Sequence, residues 1–303
     1  MARTVIEGSE HWARREGADL YLWRKRQKGL RAAKGTVLLA HGSSMASTPS
    51  FDLQVKGRSD TSLMDHLARS GFDVWCVDFE GYGRSTKDRP VHAGIERGAD
   101  DLLAAAKAIR RVSGARDFML YGISSGALRA ALFAQRNPRL VRRLVLDAFV
   151  WTGEGSPTLA ERRKRFAGVA PESRRPVNPA FVESIFTRDH PGTAEKQIVQ
   201  AFARAVCELD DSIPNGTYID MCERLPLVEP EKICVPVLIT RGEFDGIASF
   251  EDILEFFRRL PNPDKQIAVM PGIAHASLQE KNRMIVFHHI ERFFGQPGSV
   301  YKG

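Results

Sequence analysis

The chain has 303 residues, 43% of them hydrophobic and 27% charged, which allows a large buried core and excludes a disordered, fibrous or small disulfide-stapled protein. Its net charge of +7 is unevenly spread, with 25 basic against 16 acidic groups in residues 1–150, 10 against 12 in 151–230 and 9 against 9 beyond. Much of the excess is one cluster, Arg24, Lys25, Arg26, Lys28, Arg31 and Lys34, which reads as a solvated hairpin tip around Gly29; with no nucleic-acid-binding module beside it, no nucleic-acid partner is expected.

The first residues carry Glu7, Glu10 and Glu16 where a signal peptide needs an apolar run, and no stretch of 18 or more apolar residues occurs. A cytoplasmic protein with no membrane partner is expected. The four cysteines, Cys76, Cys207, Cys222 and Cys234, form no Cys-x-x-Cys pair and read as buried free thiols rather than as a zinc or redox site.

In chain order, residues 20–23 predict an antiparallel edge strand, and residues 36–40 form the strongest strand signal, a nearly continuous apolar run ending in His41-Gly42. Similar runs recur at 72–77, 118–121, 144–146, 237–240 and 266–269. Strands apolar on both faces belong to buried, mostly parallel sheets. Helical stretches lie between or after them, at 62–69, 99–112, 125–136, 250–260 and 279–294. The alternation predicts an α/β fold, a doubly wound sheet with helices on both faces. Residues 149–229 break the rhythm with helix-like pieces at 158–166, 179–186 and 194–208 and no strand candidate. They read as a helical cap domain inserted into a core made of residues 1–148 and 230–303.

Ligands in open α/β sheets bind at the carboxyl ends of the strands, and four such ends hold reactive side chains. Gly122-Ile123-Ser124-Ser125-Gly126 fits the Gly-x-Ser-x-Gly turn that lifts a serine between strand and helix. Glycines two before and two after frame Ser124, whereas the same frame around Ser125 would need Ile123 and Ala127. Ser124 is therefore the nucleophile candidate, and the backbone N–H of Ser125, at a helix start, a candidate oxyanion donor. In His41-Gly42-Ser43-Ser44 the glycine lets the chain present the Ser43 N–H toward the same point, while His41 is expected to hold the loop. Residues 43–60 make a long polar loop of the functional kind.

Arg241-Gly242-Glu243-Phe244-Asp245 offers Asp245 as the carboxylate that orients a histidine, with Asp147 and Glu243 as rivals. Pro271-Gly272-Ile273-Ala274-His275 offers His275 as the base; His190, His288 and His289 fall within the cap or the last helix, where packing or surface roles are expected. The resulting chain order is Ser, Asp, His.

These motifs, together with Asp78-Phe79-Glu80-Gly81-Tyr82-Gly83-Arg84-Ser85, make residues 20–295 resemble the α/β-hydrolase fold superfamily. The resemblance implies an eight-stranded sheet, a Ser-Asp-His triad and a cap between strands six and seven. Serine at the elbow argues against epoxide hydrolases and haloalkane dehalogenases, which use aspartate there. The segment after His41-Gly42 lacks the Gly-Pro-Gly of ring-cleavage carbon–carbon hydrolases and the extra glycines of many lipases, and Ala127 replaces a glycine common after the elbow. The expected function is a serine hydrolase acting on a small to medium carboxylic ester through an acyl-enzyme. A thioester, lactone, amide or carbon–carbon bond is the alternative, and a non-catalytic ligand-binding protein the remote one. Phe149 and Trp151 are expected to face the substrate, chosen over Phe166, Phe181, Phe186 and Phe202. No metal or cofactor is expected, since no His-x-x-x-His, Gly-x-Gly-x-x-Gly or P-loop pattern occurs; the partner is a small-molecule substrate, and a homodimer stays open.

Overall fold

The computed structural model describes residues 5–301. Its centre is an eight-stranded sheet of β1 (Ile6–Arg15), β2 (Ala18–Gln27), β3 (Thr36–Ala40), β4 (Asp73–Val77), β5 (Phe118–Ile123), β6 (Val141–Asp147), β9 (Val237–Gly242) and β10 (Lys265–Met270). Their spatial order is β1-β2-β4-β3-β5-β6-β9-β10. From β4 to β10 every pairing is parallel; β2 pairs antiparallel with both β1 and β4 and alone runs against the other strands. The fold is therefore the α/β-hydrolase architecture.

The near-continuous apolar strands follow from burial on both faces. Along β3, Leu38 and Ala40 enter one core with α3 (Ile95–Ser113), α4 (Ser125–Arg136) and α9 (Phe250–Arg259). Val37 and Leu39 enter the other, with α2 (Leu63–Arg69) and α10 (Arg283–Phe294). Period-2 alternation thus sorts one strand between two helix layers. Two of these helices start at a side-chain cap: Ser62 accepts the Asp65 N–H ahead of α2, and Ser249 accepts the Asp252 N–H ahead of α9.

Several expectations need correction. The strand at 20–23 is not an edge strand: it lies within β2, which is covered by β1 through ten paired residues. β1 has one buried side chain, Ala13, and is otherwise exposed or half-buried; solvated on both faces, it carries no hydrophobic alternation to read. The basic cluster is not a hairpin tip either, because β4 lies between β2 and β3. Two of its charges reach back to carboxylates, Arg24 to Asp73 at 2.7 Å and Lys25 to Asp52 and Asp65 at 2.6 and 2.8 Å. The loop at 43–60 contains a short helix, α1 (Ser47–Phe51). Of the four free thiols only Cys76 is buried, while Cys234 is exposed.

Between β6 and β9 lies an inserted segment with α5 (Pro157–Phe166), α6 (Pro179–Ser184), α7 (Lys196–Cys207) and α8 (Gly216–Glu223). It also holds a two-stranded antiparallel ribbon, β7 (Arg174–Pro176) with β8 (Ser212–Pro214), where no strand was expected. Three-residue strands are too short to leave a periodic signal. Ser156 and Asn178 cap α5 and α6, each followed by proline at the first helical position. The insert is tied to the core by carboxylates that accept backbone amides: Asp210 takes the Gly83 N–H at 3.0 Å, Asp220 the Ile95 N–H at 2.7 Å, and Asp252 of the core takes the Trp151 N–H at 2.8 Å.

Candidate active site

The turn from β5 into α4 holds Ser124 in a backbone conformation that non-glycine residues rarely adopt, φ 56° and ψ −124°. Strain of this kind persists only where the surroundings enforce it, and here the flanking glycines do so. A Cβ on Gly122 would collide with the Gly126 carbonyl, and one on Gly126 with the carbonyl oxygens of Ala40 and His41. The glycine framing that selects Ser124 over Ser125 is thus a packing requirement. Ser125 is fully buried, and its hydroxyl accepts a hydrogen bond from Ser43 Oγ at 2.8 Å, tying the β3 loop to the α4 start. The β3 loop runs close against the nucleophile candidate, since a Cβ on Gly42 would sit 3.4 Å from that of Ser124.

His275, 8% exposed, follows β10 and places Nε2 3.0 Å from Ser124 Oγ. Its Nδ1 lies 3.0 and 3.1 Å from the two carboxylate oxygens of Asp245. With the proton on Nδ1 donated to Asp245, Nε2 is left as an acceptor for the serine hydroxyl. Asp245 is itself fixed by the amides of Ile247 and Ala248, at 2.9 and 3.2 Å. Burial alone would raise its pKa, but His275 and these two amides outweigh that and hold the carboxyl below its ordinary value.

The rival acids are engaged elsewhere. Asp147 is fully buried and accepts from Tyr121 Oη, Thr240 Oγ1 and Ser277 Oγ at 2.7, 2.8 and 2.5 Å. Glu243 is exposed and takes the Gly272 N–H at 2.8 Å. Two histidines also sort by their partners. His41 is completely buried, with Nδ1 donating to the Gly42 carbonyl at 2.8 Å and Nε2 accepting the Phe79 N–H at 3.1 Å. His190 stacks on Phe244 with ring centroids 3.8 Å apart.

Sequence reasoning missed Glu280, a fully buried carboxylate that brackets His275 by accepting the Ala274 and Ala276 N–H groups at 2.6 and 3.1 Å. Burial lifts its pKa to about 7 against the pull of those amides. Nothing in the local pattern around Gln279-Glu280 distinguishes it from a surface acid.

Ser124 and His275 open onto a cavity lined by Ser43, Ser44 and Leu278 from the core and by Arg162, Ile185, Arg188, Phe202 and Tyr218 from the insert. It is tight, with about 50 Å³ accessible to the centre of a water molecule. Phe149 and Trp151, expected here, are elsewhere. Both turn toward Phe256 of α9, with centroids 4.7 and 5.8 Å away, and the Trp151 indole donates to the Val228 carbonyl. They close the apolar seam between β6 and α9, because the chain leaving β6 has to cover that helix before it enters the insert. Of the other aromatics weighed, Phe202 lines the cavity, while Phe186 packs behind it and Phe166 against Tyr218. One trio, Asp189, Asp245 and His275, brings potential metal-ligating atoms within 4.8 Å of one another. Arg188 already pairs with both oxygens of Asp189 at 3.0 Å, so the trio is better matched to a guanidinium than to a metal ion. No helix among the described residues is long and apolar enough to cross a membrane.

The sheet topology and the serine elbow define an α/β-hydrolase, and the comparisons agree. A family model described as serine aminopeptidase, S33 (Hydrolase_4) matches residues 31–282. The chain belongs to this family and is a hydrolase. No curated protein matches it. Among solved structures it is similar to an E-2-(acetamidomethylene)succinate hydrolase, 20% identical with a TM-score of 0.68 over 95% of this chain and 99% of that one. A thermophilic esterase from Thermogutta terrifontis is 19% identical, TM-score 0.68, over 94% and 97%. A monoacylglycerol lipase from Paleococcus ferrophilus is 20% identical, TM-score 0.64, over 91% and 98%.

Proposed function

We propose that the protein is a serine hydrolase that cleaves a small to medium carboxylic ester, with Ser124 as nucleophile, His275 as general base and acid, and Asp245 as its orienting carboxylate. The observation that carries this reading is the unbroken hydrogen-bond line from Asp245 through His275 to Ser124 at 3.0 Å per link, ending on a serine held at a strained turn. Residues 149–229 act as a cap domain that roofs the cavity, on a core of residues 1–148 and 230–303.

In the first half of the reaction Ser124 Oγ attacks the ester carbonyl carbon while its proton passes to His275 Nε2. The carbonyl oxygen, now anionic, is held by the N–H groups of Ser43 and Ser125 acting as an oxyanion hole; each such donor contributes about 2.7–4 kcal/mol to the transition state. As the tetrahedral intermediate collapses, His275 returns the proton to the departing alkoxide, leaving the acyl group on Ser124. Water then enters, gives its proton to His275 and releases the carboxylic acid by the same sequence in reverse. Asp245 stays ionised and stabilises the imidazolium formed in each half. None of these steps requires a cofactor.

The family description, an aminopeptidase, supports an amide as second substrate class, which the same groups would cleave by protonating an amine instead of an alkoxide. Turnover of short-chain p-nitrophenyl esters beside amino-acid p-nitroanilides separates the two. Labelling with a fluorophosphonate is expected to add one adduct, mapped to Ser124 by mass spectrometry. Ester turnover that survives Ser124→Ala would overturn the proposal.

A further inference from the structure

The roof of the cavity is unusually basic for a chamber meant to receive a neutral ester. Three arginines of the insert surround Tyr218, and only one of them, Arg188, has a carboxylate partner. Arg188 forms its two-point pair with Asp189. Arg175 donates to the carbonyls of Pro214 and Ser43 at 2.7 and 2.8 Å, with its guanidinium 3.8 Å from the Tyr218 ring centroid. Arg162, on α5, lines the cavity and lies 4.2 Å from the same ring. Among the described residues it makes no ion pair and no side-chain hydrogen bond.

Arg162 is half-buried, and a guanidinium held partly out of water without an acceptor is unfavourable, cation–π contact with one ring offsetting only part of that. Tyr218, when ionised, favours its charge, while the guanidinium groups of Arg188 and Arg175 oppose it. Even the Tyr218 phenol responds: burial would raise its pKa, yet Arg162 and Arg175 bring it down to about 7. With three arginines and one carboxylate, Asp189, the roof carries an excess of two positive charges, or one where the Tyr218 phenol is ionised, facing the nucleophile's chamber. A ligand carboxylate would offset one of them, and the planar fork of a guanidinium matches a carboxylate at two points.

We propose that Arg162 binds a carboxylate carried by the substrate, so that the preferred ester is a half-ester of a short dicarboxylic acid rather than a neutral ester. The inference rests on the serine-hydrolase reading for where the bond is cut, but not for the anion site itself. Packing of α5 against α8 through Tyr218 is the competing role for Arg162; it would affect charged and neutral ligands alike.

Two measurements test the proposal. In Ser124→Ala protein, monoethyl succinate is expected to bind about 10- to 100-fold tighter than neutral diethyl succinate by calorimetry, the range for hydrogen bonds to a charged group. That preference should disappear in Ser124→Ala/Arg162→Met and survive in part when lysine replaces Arg162. In the active enzyme, kcat/KM for p-nitrophenyl hydrogen succinate over that for p-nitrophenyl butyrate should fall at least tenfold on Arg162→Met, chiefly through KM. Equal binding of the two succinates by Ser124→Ala, which needs no further variant, would overturn the anion site, as would a preference that outlasts Arg162→Met. If the wild type hydrolyses neither nitrophenyl ester, the esterase reading fails, and the binding comparison still decides the role of Arg162.

Discussion

Two loops leave the carboxyl edge of the sheet with a buried histidine, one after β3 and one after β10, and the fold uses them in opposite ways. His41 has both ring nitrogens occupied by backbone, the Gly42 carbonyl and the Phe79 amide. Burial, reinforced by the charge of Arg129, lowers its pKa to about 3, so it is a neutral spacer that shapes the turn carrying Ser43. His275 has both nitrogens on side chains, a carboxylate and a hydroxyl, and can therefore pass a proton between them. Position at a strand end does not separate the two; the chemistry of what each ring nitrogen touches does.

The comparison predicts that the two loops fail differently when cut. The largest effect is expected at the β10 loop, where His275→Ala should lower kcat by about 10⁴-fold or more with the fold intact. A residual rate within tenfold of wild type would remove His275 from the reaction. Next comes its carboxylate: Asp245→Asn should lower kcat by about 10²- to 10⁴-fold through the wrong tautomer. Glu243→Gln, at the exposed acid of the same loop, should change it less than about threefold. Equal losses from the two would show that the partner of His275 had been wrongly assigned.

At the β3 loop the loss is in stability. His41→Ala leaves the Phe79 N–H without a buried acceptor and opens a cavity, for about 2–4 kcal/mol, read as a lower midpoint of denaturant unfolding. The sign of its pH dependence follows from the depressed pKa. Between about 6.5 and 3 the unfolded imidazole takes up a proton that the native one refuses. Stability that is complete above pH 6.5 is therefore lost progressively as pH falls through that window, and His41→Ala should flatten this acid limb. An acid limb unchanged in the variant would mean that His41 is not the group responsible.

The smallest effect sharpens the comparison from behind the β10 loop. Glu280 titrates at about 7 in the native protein against 4.5 unfolded. The native state thus holds a proton that the unfolded state releases, and stability declines as pH rises from about 4.5 to 7, then levels off. Glu280→Gln cannot ionise, so the drop in thermal midpoint between pH 5 and pH 8 should be smaller than in wild type. An equal or larger drop would show that Glu280 does not titrate in this range.

Much of the molecule was already written in local pattern. Apolar runs located the sheet strands β3 to β6, β9 and β10, because a buried parallel sheet demands them, and paired glycines singled out Ser124, because backbone contacts at Gly122 and Gly126 leave no room for a side chain. Those same rules are silent where a residue's role depends on partners far away in sequence. Only the tertiary structure turned Phe149 and Trp151 toward Phe256, covered β2 with the polar strand β1, bracketed His275 with Glu280, and set Arg162 over the cavity without a carboxylate partner. The physical reason is that periodicity and turn chemistry are properties of neighbouring residues, whereas the pairing of a charge or the facing of a ring is settled by which distant surfaces the sheet brings together.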